Sequence, residues 1–141
     1  MAQLVGPHGH VDAYEVDLEL ASRATTNLRA FPQVKVHSES AVGVELPIAD
    51  VVYVNAGASH IPPNWLDALS GGGRLLFPLE PASSPGAMLL VTHGGERYAA
   101  RFIVPAIFIP CVGAQDEARA AALGDALRRG DARRVQSLRR N

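Results

Sequence analysis

The sequence predicts an α/β fold with a mostly parallel sheet that ends in an antiparallel hairpin, and three observations carry this. Along the chain, apolar residues alternate between strand-type and helix-type periods. The run Val51-Val52-Tyr53-Val54 is apolar on both faces, as in a parallel strand covered by helices on each side. Residues 86–92 and 97–104 are strand-like runs separated by His93-Gly94-Gly95-Glu96, a gap short enough for a hairpin.

The elements follow in order. Gly6-Pro7-His8-Gly9 has Pro at the second turn position and Gly at the fourth, a tight turn into a first strand over residues 10–16. Asp17 caps the next helix and Glu19 complements its positive end. Leu18, Ala21, Thr25 and Leu28 fall on one face before Pro32 forbids continuation. Residues 34–36 form a short second strand and 49–54 a third. The small-residue loop Asn55-Ala56-Gly57-Ala58-Ser59-His60 comes next. Pro62-Pro63 then opens a helix holding Trp65, Leu66 and Leu69, with Gly71-Gly72-Gly73 as its terminator. Residues 74–79 are a fourth strand, 80–85 a Pro- and Ser-rich loop, and the hairpin follows. Residues 116–129 are alanine- and leucine-rich and helical, and the tail from 130 to 141 adds a short strand around 135–138 or frays.

Composition narrows the function classes. The 141 residues are 48% hydrophobic and 19% charged, which suits a single domain over residues 1–141 with one core. A net charge of -1 argues against nucleic-acid affinity, because phosphate binding draws on a Lys/Arg excess. The lone Cys111 excludes an internal disulfide, and its neighbours Pro110 and Val112 suit a buried structural thiol. Met1-Ala2-Gln3-Leu4 opens no signal-peptide pattern. Residues 102–112, the most apolar stretch, are too few to span a bilayer and are cut by Pro105 and Pro110. A cytoplasmic protein with no membrane or nucleic-acid partner is the expectation.

Few side chains stand out as chemistry. His8 and His10 form a His-x-His pair, while His37, His60 and His93 are scattered one per loop without a metal-ligand spacing, so no metal site is expected. Ser59-His60 resembles half of a nucleophilic dyad, but adjacent side chains of an extended segment point apart. The arginines at 128, 129, 133, 134, 139 and 140 complement a helix C-terminus and a solvated end. Glu15, closing the first strand, is the exception. In nucleotide-binding α/β folds an acidic residue holding ribose hydroxyls ends the second strand, about 20 residues after a glycine-rich turn. Counting back from Glu15 runs past Met1. Glu15 is therefore either an ordinary exposed carboxylate or the mark of such a fold starting after its own cofactor loop.

The order strand, helix, strand, strand, helix, strand, hairpin resembles the class I S-adenosylmethionine-dependent methyltransferases, and within them most closely the protein-L-isoaspartate O-methyltransferase family. The resemblance rests on several pieces taken in order. Leu4-Val5-Gly6-Pro7-His8-Gly9-His10-Val11 leads into Ala13-Tyr14-Glu15-Val16-Asp17. Val54-Asn55-Ala56-Gly57-Ala58 follows, then Trp65-Leu66-Asp67-Ala68-Leu69 with Gly72-Gly73-Arg74-Leu75, and residues 102–113 close the match. It covers about residues 2–113.

The resemblance implies a Rossmann-like methyltransferase sheet and S-adenosylmethionine as cofactor. Glu15 matches the carboxylate that accepts both ribose hydroxyls. Ser38-Glu39-Ser40 sits where the family has a Gly-Asp-Gly loop facing the adenine, which gives Glu39 that place with a longer side chain and without the glycines. Asn55, Ala56 and Gly57 lie at the carboxyl end of the central strand, where small residues let the sulfonium and an acceptor approach. The resemblance assigns no catalytic residue. By the same comparison the chain is N-terminally truncated, lacking the first central strand and the glycine-rich loop. That strand would lie between those at 10–16 and 49–54, so its absence exposes two edges open to self-association. The expected function is methyl transfer to a protein carboxylate, impaired in this chain alone. The alternative is a non-catalytic methyltransferase-like remnant or partner-binding module.

Overall fold

The structure, a computed structural model, describes residues 1–81 and 84–139. Ala82 and Ser83 of the Pro- and Ser-rich loop, and Arg140 and Asn141 of the tail, lie outside the described residues. The chain divides into two compact units, Met1–Ala41 and Val42–Asn141.

In the first unit a four-residue helix α1 (Ala2–Val5) runs into the expected turn, where Gly6 takes φ +71° and the Gly9 N–H donates to the Gly6 carbonyl at 3.4 Å. Strand β1 (Val11–Tyr14) follows. Asp17 caps helix α2 (Leu18–Asn27) by accepting from the Glu19 and Leu20 N–H groups, both at 2.9 Å. Strand β2 (Val34–His37) lies parallel to β1, with Val11 opposite Val34 and Tyr14 opposite His37. The helix buries less than its periodicity promises: Ala21 is fully enclosed, but Leu18 is 72% exposed. Leu18 occupies the first helical position, where no preceding turn of helix flanks it.

The second unit is a five-stranded sheet in the order β3-β4-β5-β6-β7. Its strands are β3 (Ala49–Tyr53), β4 (Leu69–Leu79), β5 (Gly86–His93), β6 (Tyr98–Ala106) and β7 (Ser137–Leu138). Strand β3 runs parallel to β4, whereas β4, β5, β6 and β7 pair antiparallel in succession. The α/β class and the late hairpin are as expected from sequence. The hairpin turn closes where the Gly94 N–H donates to the Arg97 carbonyl at 2.8 Å and Gly95 takes φ +88°. Helix α3 (Pro63–Asp67) and helix α4 (Glu117–Arg128) complete the unit, with a 3-10 turn (Asp131–Arg134) before β7. Trp65 and Phe77 meet edge to face with centroids 5.9 Å apart, and Leu75 and Val91 are fully buried beside them.

Two sequence expectations are corrected. Gly71-Gly72-Gly73 does not end a helix: α3 stops at Asp67, and the glycines lie inside β4. The register steps from Ala49 opposite Leu69 to Val51 opposite Arg74, so the glycine segment is an irregularity that lets β4 bulge, with Gly72 at φ +82°. Within its unit the run at 51–54 is covered on one face. Val52 and Val54 pack against the core, while Val51 is 41% and Tyr53 48% exposed. Among the described residues β1 is hydrogen-bonded to β2 alone and β3 to β4 alone.

Candidate functional site

In the first unit, the carboxyl ends of two parallel strands carry Tyr14, Glu15, His37 and Glu39. Glu15 follows β1; its N–H donates to the His37 carbonyl at 3.0 Å, and its Oε1 accepts from the Asp17 N–H at 2.9 Å. Glu15 Oε2 has no partner among the described residues, which leaves a fixed carboxylate with acceptor capacity at the strand end. Glu39 follows β2 with its side chain 55% exposed, its Oε1 lying 3.8 Å from His37 Nδ1. Two carboxylates thus stand at the ends of neighbouring strands, the edge at which open α/β sheets bind ligands.

Beneath them is a cluster that the sequence did not reveal. His37 Nε2 lies 2.7 Å from Asp12 Oδ1, His10 Nε2 lies 3.1 Å from Asp12 Oδ2, and the Tyr14 ring stacks on His37 at 4.4 Å. Burial alone would raise the Asp12 pKa, but hydrogen bonds and charge from His37 and His10 outweigh it and hold the carboxyl below its ordinary range. Burial, reinforced by the charges of Asp12 and Glu39, pushes the Tyr14 hydroxyl up. His37, placed in a loop by the sequence reading, instead closes β2 and is held by Asp12. His93 is also engaged, stacked on Tyr98 at 4.9 Å with its ring nitrogens facing the carbonyls of Leu69, Ser70 and Gly95. The pairing of His37 with Asp12 and the reach of His93 to Leu69 and Ser70 join residues more than 20 apart in sequence, and no local spacing signals them. Neither this cluster nor any other among the described residues arranges three His, Cys, Asp or Glu side chains so that they could hold a metal ion.

In the second unit the loop after β3 presents Asn55 exposed, Ala56 half-buried and Gly57 buried. The Asn55 amide has no hydrogen bond among the described residues and is open to a ligand. Gly57 is differently placed. Its N–H donates to the Ile109 carbonyl at 2.7 Å, and its carbonyl accepts from the Cys111 N–H at 2.7 Å and from Gln115 Nε2 at 2.6 Å. The segment after β6 is thereby stitched to the loop after β3. Ser59, 4% exposed, extends the seam: its N–H donates to the Ala114 carbonyl and its hydroxyl accepts from the Asp116 N–H at 2.8 Å.

Ser59 Oγ also lies 3.3 Å from His60 Nδ1, so these neighbours do meet. The loop leaves the extended conformation there, which is why the alternation argument fails. The hydroxyl is enclosed and already bonded, which makes it a structural group. His60 is pushed down by burial and by Arg119, against the opposing pull of Asp116. Cys111 is half-buried, and burial pushes its thiol up, away from the thiolate that chemistry would need. Glu80, just after β4, is a further residue that sequence reasoning missed. Its Oε1 accepts from the Phe108 N–H at 2.7 Å, and burial raises its pKa against that bond.

Comparison with known proteins places this arrangement. The family model described as Protein-L-isoaspartate(D-aspartate) O-methyltransferase (PCMT) matches residues 1–116. A protein-L-isoaspartate O-methyltransferase from Ignicoccus hospitalis is 32% identical over 116 residues, covering 79% of this chain and 55% of that protein. One from Korarchaeum cryptofilum is 33% identical over 129 residues, covering 80% of this chain and 57% of the relative. Among solved structures, a protein-L-isoaspartate O-methyltransferase superposes with a TM-score of 0.72 at 22% identity, over 92% of this chain and 40% of its own. A Plasmodium falciparum protein described as a putative member, in complex with S-adenosyl-L-homocysteine, gives 0.65 at 18% identity, over 72% and 52%. The chain spans about half the length of the curated relatives it matches. No helix among the described residues is long and apolar enough to cross a membrane. With the model match running from Met1 through Asp116, the chain belongs to the protein-L-isoaspartate O-methyltransferase family.

Proposed function

We propose that this chain carries the nucleoside-binding part of an S-adenosylmethionine-dependent protein carboxyl methyltransferase. The observation that carries the reading is Glu15: at the carboxyl end of β1, with one oxygen on the Asp17 N–H and the other unpartnered, it fits the paired hydroxyls of a ribose. Glu39, exposed at the end of the adjacent strand, faces the base. Asn55 and Ala56 line the approach of the reacting group, and Gly57 holds the loop against the segment after β6. When bound, the cofactor supplies a methyl group on a sulfonium, a good leaving group, so the protein's task is to orient the two reactants. An isoaspartyl protein carboxylate is the acceptor class this reading takes.

Calorimetry of the 141-residue chain with S-adenosylmethionine tests the proposal. Glu15 and Glu39 offer contacts to the nucleoside alone, so a Kd weaker than micromolar, short of about -8 kcal/mol, is expected. Methyl transfer to an isoaspartyl peptide by this chain alone should be negligible. A micromolar Kd or tighter contradicts the first expectation, and no saturation at millimolar ligand contradicts the cofactor reading itself. The second reading, a non-catalytic or partner-binding module, is favoured by the complete engagement of the Gly57 backbone within the fold, which leaves that residue nothing to offer a ligand. The open edges of β1 and β3 further support self-association, to be read by sedimentation.

A further inference from the structure

Glu80 occupies a seat assembled from three separate segments. Its Oε1 accepts the Phe108 N–H. Its carboxylate covers the side of Gly57 from which a side chain would project, since a β-carbon there would stand 2.2 Å from Oε2 and 2.6 Å from Cδ. From another side, a β-carbon on Gly86 would meet the Leu79 carbonyl oxygen at 2.2 Å and Glu80 Cα and Cγ at 2.7 Å. Gly57 therefore makes room for the carboxylate, and Gly86 for the backbone that carries it.

The choice of an acid for that seat is not explained by packing. Burial opposes its ionisation, and Oε2 has no hydrogen-bond partner among the described residues. A glutamine would fill the same volume, accept the Phe108 N–H equally well and carry no charge to desolvate. What the acid adds is a negative point beside Gly57, at the carboxyl end of β3 where open α/β sheets take their ligands.

We infer that Glu80 is a specificity residue whose carboxylate makes the loop after β3 favour a sulfonium over the corresponding neutral thioether. The inference rests on the reading that Asn55 and Ala56, in the loop that Gly57 anchors, line the approach of the reacting group. S-Adenosylmethionine carries a positive sulfur and S-adenosylhomocysteine does not, so a nearby carboxylate attracts the first and is indifferent to the second. The same charge weakens the hold on the demethylated ligand relative to the methyl donor.

The test is calorimetric titration of the 141-residue chain and its Glu80→Gln variant with both ligands, each carried to millimolar concentration. The variant should lose about fivefold in affinity for S-adenosylmethionine, the scale of one partly screened charge pair. Its affinity for S-adenosylhomocysteine should stay the same. A thermal melt shows that the variant is folded, and removing the buried charge should leave its melting temperature at or above that of the parent. In the unaltered chain, raising the salt concentration should erode the preference for the sulfonium without touching thioether binding, a readout that needs no variant. Equal loss for both ligands, or no change for either, overturns the inference while leaving the cofactor reading intact. Binding of neither ligand by the unaltered chain removes both.

Discussion

Replacing Gly57 by alanine tests the seam at the candidate site through a clash whose partners are known. The new methyl carbon would arrive 2.2 Å from Glu80 Oε2 and 2.6 Å from its Cδ, far inside contact distance. The Gly57 backbone is fixed by its bonds to Ile109, Cys111 and Gln115, so the carboxylate must move and give up the Phe108 N–H. Losing a hydrogen bond to a charged group removes about 1.5–3 kcal/mol. Gly57 is not among the positive-φ glycines, so alanine recovers about 0.4–1 kcal/mol by restricting the unfolded chain. Gly57→Ala should therefore destabilise by about 1–2 kcal/mol, a drop of about 3–8 °C in Tm for a domain of this size. In a Glu80→Ala background no carboxylate opposes the methyl group, and the same substitution should be neutral or slightly stabilising. Urea unfolding of the four proteins gives the coupling directly, expected at about 1.5–3 kcal/mol. If Gly57→Ala has the same effect in both backgrounds, to within about 0.5 kcal/mol, Glu80 does not sit where the argument requires.

Asp17→Ala should destabilise the protein by about 1 kcal/mol, read by urea unfolding, because the Glu19 and Leu20 N–H groups lose the carboxylate oxygen they share. Asp12 has a folded pKa below its ordinary value of 3.8, so its stabilising effect is complete above that pH and is lost as pH falls through the folded value. The stability difference between the parent and Asp12→Asn should accordingly be constant toward neutrality, as far as Asp12 itself is concerned, and shrink below pH 3.8 in acid titrations monitored by circular dichroism.

Much of the fold was legible in the sequence because its signals are local. The Asp17 cap, the Gly6-to-Gly9 turn and the His93-to-Glu96 gap each act within a few residues, and each is where it was expected. The glycine run at 71–73 misled because glycine ends a helix and relaxes a strand with equal ease, and only the register against β3 decides between them. The face of Val51 and Tyr53 misled because an apolar run says what a strand could bury, while the packing of its unit says what it does bury. Glu15 stands out in the sequence from its position after a strand and from family resemblance, and the structure places it directly after β1. The pairing of Asp12 with His37, 25 residues apart, and the seating of Glu80 against Gly57 arise from tertiary contact, which no spacing encodes.

Calorimetry of S-adenosylhomocysteine with the parent chain and Glu15→Gln decides whether Glu15 holds the cofactor ribose. The thioether ligand isolates the nucleoside contacts from any charge effect at Glu80. Glutamine keeps the size and one oxygen acceptor but loses the charge and the second acceptor, so the variant should bind more weakly by about 1.5–3 kcal/mol, the range for hydrogen bonds to charged groups. Equal affinities in the two proteins would return Glu15 to an ordinary surface carboxylate with no part in holding the ribose.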